Sequence, residues 1–332
     1  MKPAANFNPV KYFSINVMSA QNAPNNSRPT ACLTIGAFDG VHLGHQAIIR
    51  NLVTEAKRLK SNPVVVTFNP HPAEIIKGII GPFYLTAPEE KETLLRRLGV
   101  ENVIAIPFDE HFAKRDASSF INDLFHQQPF LMMLVGHDFR FGAGQQGDIA
   151  LLTHLGQEFG FLVQTVPPFS VNGQIVSSSL IRQKILDRQM STAAEFLGRW
   201  YSISGQVVHG DGRGRHIGIP TANLSFWPKR LIPPSGVYAA RVEWEGNTHP
   251  AVLNIGSRPT FYFPSTEQTM EVHILDFEQE IYGTTLQLEF IKYLREEKKF
   301  SSARELTTQI RKDIQETREV IAHVPQTPDL SA

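Results

Sequence analysis

The stretch GAFDGVHLGHQ, residues 36–46, decides the fold. A short run rich in β-branched and aromatic residues, Ala31–Phe38, leads into it and reads as a buried strand, and Gln46–Lys60 behind it carries helical periodicity. The stretch is therefore a strand–turn–helix junction. Gly40 and Gly44 let the backbone turn tightly and approach a ligand, while the first amides of the helix, with its dipole, favour a bound phosphate. His42 and His45 flank that anion site, spaced so that two imidazoles reach one phosphate group from a turn and a helix start. A helical zinc pair would need a spacing of four with a glutamate between, and a Walker loop a Lys-Ser or Lys-Thr pair after the glycines; neither is present. The plainer alternative makes His42 a helix-start polar residue and Asp39 a turn former.

A chain of 332 residues is long enough for two domains with well-formed cores. With 32 basic and 32 acidic residues the formal net charge is zero. No global field then draws nucleic acid or an anionic membrane, and any phosphate binding must be local. Cys32 is the only cysteine, which excludes an internal disulfide framework or a multi-cysteine metal site and fits a reducing, cytoplasmic setting. Apolar stretches such as Phe130–Val135 are too short to span a bilayer. Residues 1–29 hold Asn, Pro, Ser and Ala in quantity and no acidic residue, so a flexible extension is expected there.

Along the chain, Pro63–Phe68 is a second β-branched run, ending in Asn69-Pro70-His71-Pro72. Strand, helix, strand implies a parallel crossover unit, with the NPHP loop at the carboxyl edge where open α/β sheets bind ligands. His71 either lines that site or is a rigid loop residue. Helices are expected at Pro88–Gly99, Asp116–Gln127 and Ile149–Phe159, and strands at Asn102–Pro107, Phe130–Gly136 and Phe161–Val166. The strand Phe130–Gly136 runs into GHDFRFG, 136–142, where Phe139 and Phe141 alternate with Asp138 and Arg140. One face can pack while the other addresses a nucleotide, or the pair is two core phenylalanines with a surface ion pair. In VSSSLIRQKILD, 176–187, three serines precede a helical segment. Their hydroxyls and the helix amides can bind phosphate, with Arg182 adding a planar charge, although ordinary capping accounts for the serines equally well.

From Trp200 the pattern changes to short alternating runs, Tyr201–Val208, Val237–Trp244, Pro250–Ile255, Met270–Leu275 and Leu286–Leu294, which argue for a small antiparallel barrel. Between the first two lies GDGRGRHIGIPTANL, 210–224. Its glycines, among them Gly212, Gly214 and Gly218, allow a backbone that wraps phosphates, and Arg213, Arg215 and His216 add local charge. Thr221 offers a hydroxyl and Asn223 a carbonyl, hard oxygens that Mg²⁺ accepts with nucleotide phosphates and water. In Met270-Glu271-Val272-His273-Ile274, alternation turns Glu271 and His273 from the core. Ser301–Val324 carries caps and an apolar row at 306, 310 and 314, a helix expected to pack on the barrel.

HLGH at 42–45 resembles the HxGH signature of the nucleotidyltransferase superfamily, and within it the FMN adenylyltransferase half of the bifunctional riboflavin kinase/FAD synthetases. VGHDFRFG and SSSLIR resemble further segments of that family, the latter with Ser179 where threonine is usual; PTAN, 220–223, resembles the riboflavin kinase signature. The resemblance covers about residues 31–322. It implies an α/β fold with a Rossmann-like N-terminal nucleotidyltransferase domain on a parallel sheet, followed by a C-terminal antiparallel β-barrel with a terminal helix. The pattern places a flexible segment at 1–29, a linker helix at 188–199 and a disordered tail at 325–332, and the resemblance implies an FMN adenylyltransferase domain at 30–187 and a riboflavin kinase domain at 200–324. The C-terminal domain would phosphorylate riboflavin with MgATP and the N-terminal domain would adenylylate FMN to FAD. By the same resemblance His42 and His45 serve adenylyl transfer, and Gly36, Phe38, Asp39, Gly44, Asp138, Arg140, Ser178, Ser179 and Arg182 bind its nucleotide. Gly212, Gly214, Gly218, Pro220 and Thr221 hold the kinase's ATP, Thr221 and Asn223 its Mg²⁺, and Glu271 is the base. The implied partners are riboflavin, FMN and ATP, with no nucleic acid and no membrane; self-association is left open. Residues 262–269 depart from the family's composition. The rival reading keeps the nucleotidyltransferase and makes the barrel a non-catalytic nucleic-acid or partner-binding appendage.

Overall fold

The computed structural model describes residues 31–210, 214, 217–259 and 266–325. Gly212, with Arg213, Arg215 and His216, lies outside the described residues, as do the segment expected at 1–29, the tail expected at 325–332 apart from Pro325, and residues 262–265 of the stretch 262–269. By packing, the chain divides into two compact units: the chain up to Gly81 with Thr86–Val176, and Pro82–Leu85 with everything from Ser177 on.

In the first unit β1 (Ala31–Ile35), β2 (Asn62–Asn69), β3 (Asn102–Pro107), β4 (Phe130–Gly136) and β5 (Leu162–Val166) form one sheet in the order β3-β2-β1-β4-β5. Every pairing is parallel. Strands buried on both faces read as continuous apolar runs, and β1, ACLTI, is buried at every position. Its side chains alternate between two cores. Leu33 and Ile35 join Val64, Phe130 and Leu152 on one side, while Cys32 joins Val65, Ile49 and Leu95 on the other. The helices between the strands are α1 (Leu43–Arg58), α2 (Pro72–Lys77), α3 (Pro88–Arg97), α4 (Glu110–Ala113), α5 (Ala117–Gln127) and α6 (Ile149–Phe159). The short hairpin β6 (Ser170–Val171) and β7 (Gln174–Ile175) follows β5. The winding reverses between neighbouring β1 and β4, which opens a crevice at their carboxyl ends.

The second unit begins with α7 (Ser178–Leu186) and α8 (Met190–Leu197), then closes a barrel of β8 (Tyr201–Val208), β9 (Ala222–Phe226), β10 (Gly236–Trp244), β11 (Asn247–Pro259), β12 (Thr266–Ile274) and β13 (Thr285–Arg295). All its pairings are antiparallel, and Tyr201, Tyr238 and Phe290 fill the interior. The strand β9 is a correction to the expected five, because PTAN runs straight into it. Pro82–Leu85 packs here as well: the Phe83 and Tyr84 amides donate to the Lys229 carbonyl, and the Leu231 amide to that of Tyr84 at 2.9 Å.

The terminal helix α9 (Ala303–Ala322) starts where Ser302 caps the Glu305 amide, and it packs on β10, β11 and β13. Its most buried residues are not the expected apolar row but Asp313 and Thr317. The reason is electrostatic. Arg295 on β13 reaches Asp313 through both Nε and Nη2, the latter at 2.7 Å, and Gln309 donates to the same carboxylate. Ile314 still packs against Val237, Val252 and Leu275 beside it.

Candidate functional site

The first site is built on the turn between β1 and α1. His42 is the N-cap of α1, its Nδ1 accepting the His45 amide at 3.3 Å, so the plain capping role is real. It does not exhaust the geometry: the two imidazoles stack with centroids 3.6 Å apart, and Phe38 meets His45 edge-on at 5.1 Å. Gly44 lies so close to the His42 ring that a side chain there would crowd it. The turn itself is strained. Phe38 and Val41, neither of them glycine, hold φ of 49° and 38°, conformations costing about 1–3 kcal/mol each.

Such strain persists only if the surroundings fix it, and they do. Asp39, 2% exposed, points inward, with one carboxylate oxygen accepting the Thr86 amide at 3.1 Å and the Thr86 hydroxyl at 3.2 Å. The Gly40 amide donates to that hydroxyl. Asp39 is thus an anchor of the loop. From the neighbouring strand end, Gly136 comes against Ile48 of α1, which brings the GHDFRFG loop beside the histidine helix. Phe139 and Phe141 stack at 5.4 Å and Phe141 bridges to Gly147, so both phenylalanines pack. Asp138 and Arg140 stay exposed, Arg140 pairing with Asp148 at 3.4 Å. His71 accepts the Ala73 amide at 3.0 Å and caps α2, a helix the expected loop does not contain.

Ser178, Ser179 and Arg182 lie on α7, which Ser177 caps by accepting the Leu180 amide, and packing groups this helix with the second unit. Arg182 donates to the Phe83 carbonyl at 2.9 Å and lies 3.8 Å over the Phe83 ring.

The second site is on the barrel's outer face. In the β9–β12 register Glu271 stands opposite Asn223, with buried Met270 and Val272 on either side. On its other flank Glu271 faces Asn254 of β11. Asn223, Glu271 and Asn254 therefore form one cross-strand row, of which sequence reasoning missed Asn254. His273, two residues on, donates a ring N–H to the Pro220 carbonyl at 2.7 Å and so ties PTAN to β12. Gly210 and Gly214 are required here, because a side chain would strike the Asn223 amide at the first and the Ile219 carbonyl at the second. Gly218, Pro220 and Thr221 line one cavity of about 310 Å³, at the small end for a ligand pocket. Its other wall is Phe277–Tyr282, a segment the sequence reading passed over. Among the described residues no group of three or more His, Cys, Asp or Glu is arranged to hold a metal by itself.

Comparison with known proteins agrees with both halves. The FAD synthetase family matches residues 24–180 and the riboflavin kinase family residues 197–321. The chain is 40% identical over 289 residues to the bifunctional riboflavin kinase/FMN adenylyltransferase of Escherichia coli K12, covering 86% of this chain and 91% of that one. To the Bacillus subtilis enzyme of the same name it is 35% identical over 306 residues, covering 91% and 96%. A solved Streptococcus pneumoniae structure named as a macrolide-efflux protein superposes with a TM-score of 0.78 at 32% identity, over 89% of this chain and 96% of that one. Efflux belongs to that protein's name; no helix among the described residues here is long and apolar enough to cross a membrane. The kinase match over the barrel also decides against a merely binding appendage. The chain belongs to the family of bifunctional riboflavin kinase/FMN adenylyltransferases.

Proposed function

We propose that this enzyme, a riboflavin kinase in its C-terminal part and an FAD synthetase in its N-terminal part, runs its two reactions at the two sites above. The adenylyltransferase domain spans 30–187 and the kinase domain 200–324, joined by a linker helix at 188–199; the synthetase match ending at residue 180 and the kinase match beginning at residue 197 support a division in this region. Both reactions consume ATP. Riboflavin, FMN and ATP are the small-molecule partners, and the balanced charge and single buried thiol suit an enzyme of the cytoplasm that engages neither nucleic acid nor membrane.

In the kinase reaction the ribityl hydroxyl is neutral and must lose its proton as its oxygen bonds to the γ-phosphorus and ADP departs. Glu271 takes that proton. The single observation that carries this role is the register of Glu271 against Asn223, two residues beyond Thr221 in PTAN. Gly214, Gly218, Pro220 and Thr221 cradle the phosphates, with Gly212 assigned to them by the same stretch of sequence. The neutral oxygens of Thr221 and Asn223 fit Mg²⁺, which takes one or two protein oxygens along with phosphates and water. When bound, the ion would neutralise phosphate charge.

In adenylyl transfer the attacking group is the FMN phosphate, already anionic at neutral pH. Positioning and charge neutralisation are then needed more than a base. His42 and His45 supply these with the first amides of α1, while Gly36, Phe38 and Gly44 shape the turn and Asp39 anchors it. Asp138, Arg140, Ser178, Ser179 and Arg182 complete the nucleotide contacts. The test is Glu271→Gln, which should retain riboflavin and ATP binding yet lower FMN synthesis by about 10²–10⁴. Near-normal kinase turnover in that variant would remove Glu271 from the mechanism.

A further inference from the structure

Helix α3 opens with PEEKET, residues 88–93, a charged run of the kind that faces solvent. Lys91 turns the other way. Its Nζ donates to the Ala37 carbonyl at 3.1 Å and to the Thr67 hydroxyl at 2.9 Å, and that hydroxyl donates to the same carbonyl at 3.1 Å. This triangle closes directly beneath the strained turn, one residue before Phe38, and Thr67 within it is 2% exposed. We propose that Lys91 is a positioning residue for FMN adenylylation: it pins the Ala37 carbonyl so that the turn presents His42, His45 and the first amides of α1 to the transferring phosphate.

A neutral side-chain amide would bridge a carbonyl and a hydroxyl at far lower desolvation cost than an ammonium. What the amide lacks is charge. That charge lies behind a loop that gathers two phosphorylated substrates, where a preorganised cation is effective. Burial, the stronger influence, pulls the Lys91 pKa down to about 8, and the Asp39 carboxylate opposes it. Of the other elements around it, β2 brings the Thr67 hydroxyl to the ammonium, and the turn brings the Ala37 carbonyl and the charge of the Asp39 carboxylate. On α3 itself Glu90 accepts the Ala87 amide and Glu92 pairs with Arg96.

The inference rests on the assignment of loop 36–45 to adenylyl transfer, so His45→Ala is measured alongside. Lys91→Met in the full chain should lower kcat for FAD formation from FMN by about 10²-fold, the scale of a small misplacement of catalytic groups. KM for FMN and riboflavin phosphorylation should stay near wild type, and Lys91→Arg should restore much of the loss. Normal kcat in Lys91→Met, or a loss confined to KM, overturns the proposal. If Lys91→Met does not fold, pH profiles of wild type and Lys91→Arg decide. Wild-type turnover should fall as pH rises past about 8 while the always-charged arginine variant holds its rate; the same alkaline limb in both overturns the proposal. If instead His45→Ala leaves FAD formation intact, the assignment of the loop has failed, and not Lys91's place within it.

Discussion

The two sites proposed for this chain are built in opposite ways. In the first unit the histidines proposed for adenylyl transfer sit stacked on a turn at the switch point of a parallel sheet, at the start of a helix and on a backbone held in strained conformations. In the second, a carboxylate stands in a row of polar side chains across three strands of a barrel, beside a glycine-rich loop. The contrast follows the nucleophiles. An FMN phosphate brings its own negative charge and needs that charge neutralised and aimed, whereas a ribityl hydroxyl must first be relieved of a proton.

That contrast is breakable one site at a time. The largest effect is expected for Glu271→Gln, a fall of about 10²–10⁴ in FMN synthesis with FAD synthesis from supplied FMN intact. His45→Ala should do the converse, lowering FAD formation by about 10²–10³, the scale for removing one preorganised charge-stabilising group, while riboflavin phosphorylation persists. Parallel loss of both activities in a folded His45→Ala protein would mean that the motif does not serve one half-reaction alone.

Stability should divide in the same way. Asp313→Ala strands the part-buried Arg295 beneath α9, and breaking such a pair costs about 3–5 kcal/mol. Denaturation should show the loss in the barrel unit and leave hydrogen exchange in the parallel sheet unchanged. A smaller effect separates the units by pH. Because the folded state depresses the Lys91 pKa from 10.5 to about 8, the unfolded chain binds more protons between those values, and the first unit gains stability as pH rises across them. The protection factors of the β1 amides, exchange rates corrected for the rise of intrinsic exchange with pH, should increase over that window in wild type and not in Lys91→Met.

Much of this was legible in the sequence because each unit announces its period. The β-branched run of β2, the apolar run of β4, the helices expected at Asp116–Gln127 and Ile149–Phe159 and the capped start of the terminal helix sit where the pattern puts them. The placement of Glu271 off the core face was legible too, since strict alternation in MEVHI fixes which residues leave the core. Other features carry no local signal. ANLSF buries only Leu224 and reads as loop, so β9 becomes visible only through its partners β8 and β12. Lys91 looks like any lysine on a charged helix until Ala37 and Thr67 arrive from distant positions. Asp313 breaks the apolar pattern of α9 because its partner, Arg295, belongs to a strand. Positive φ at Phe38 and Val41 is likewise a product of tertiary restraint, not of residue type.

The proposal that Glu271 serves only FMN synthesis and His45 only its adenylylation makes the two activities separable between molecules. Its most direct test mixes the Glu271→Gln and His45→Ala proteins and supplies riboflavin and ATP. Alone, the first variant should make little FMN and the second should stop at FMN. Together they should convert riboflavin to FAD, since each supplies the step the other lacks. A mixture that makes no more FAD than either variant alone would contradict the account.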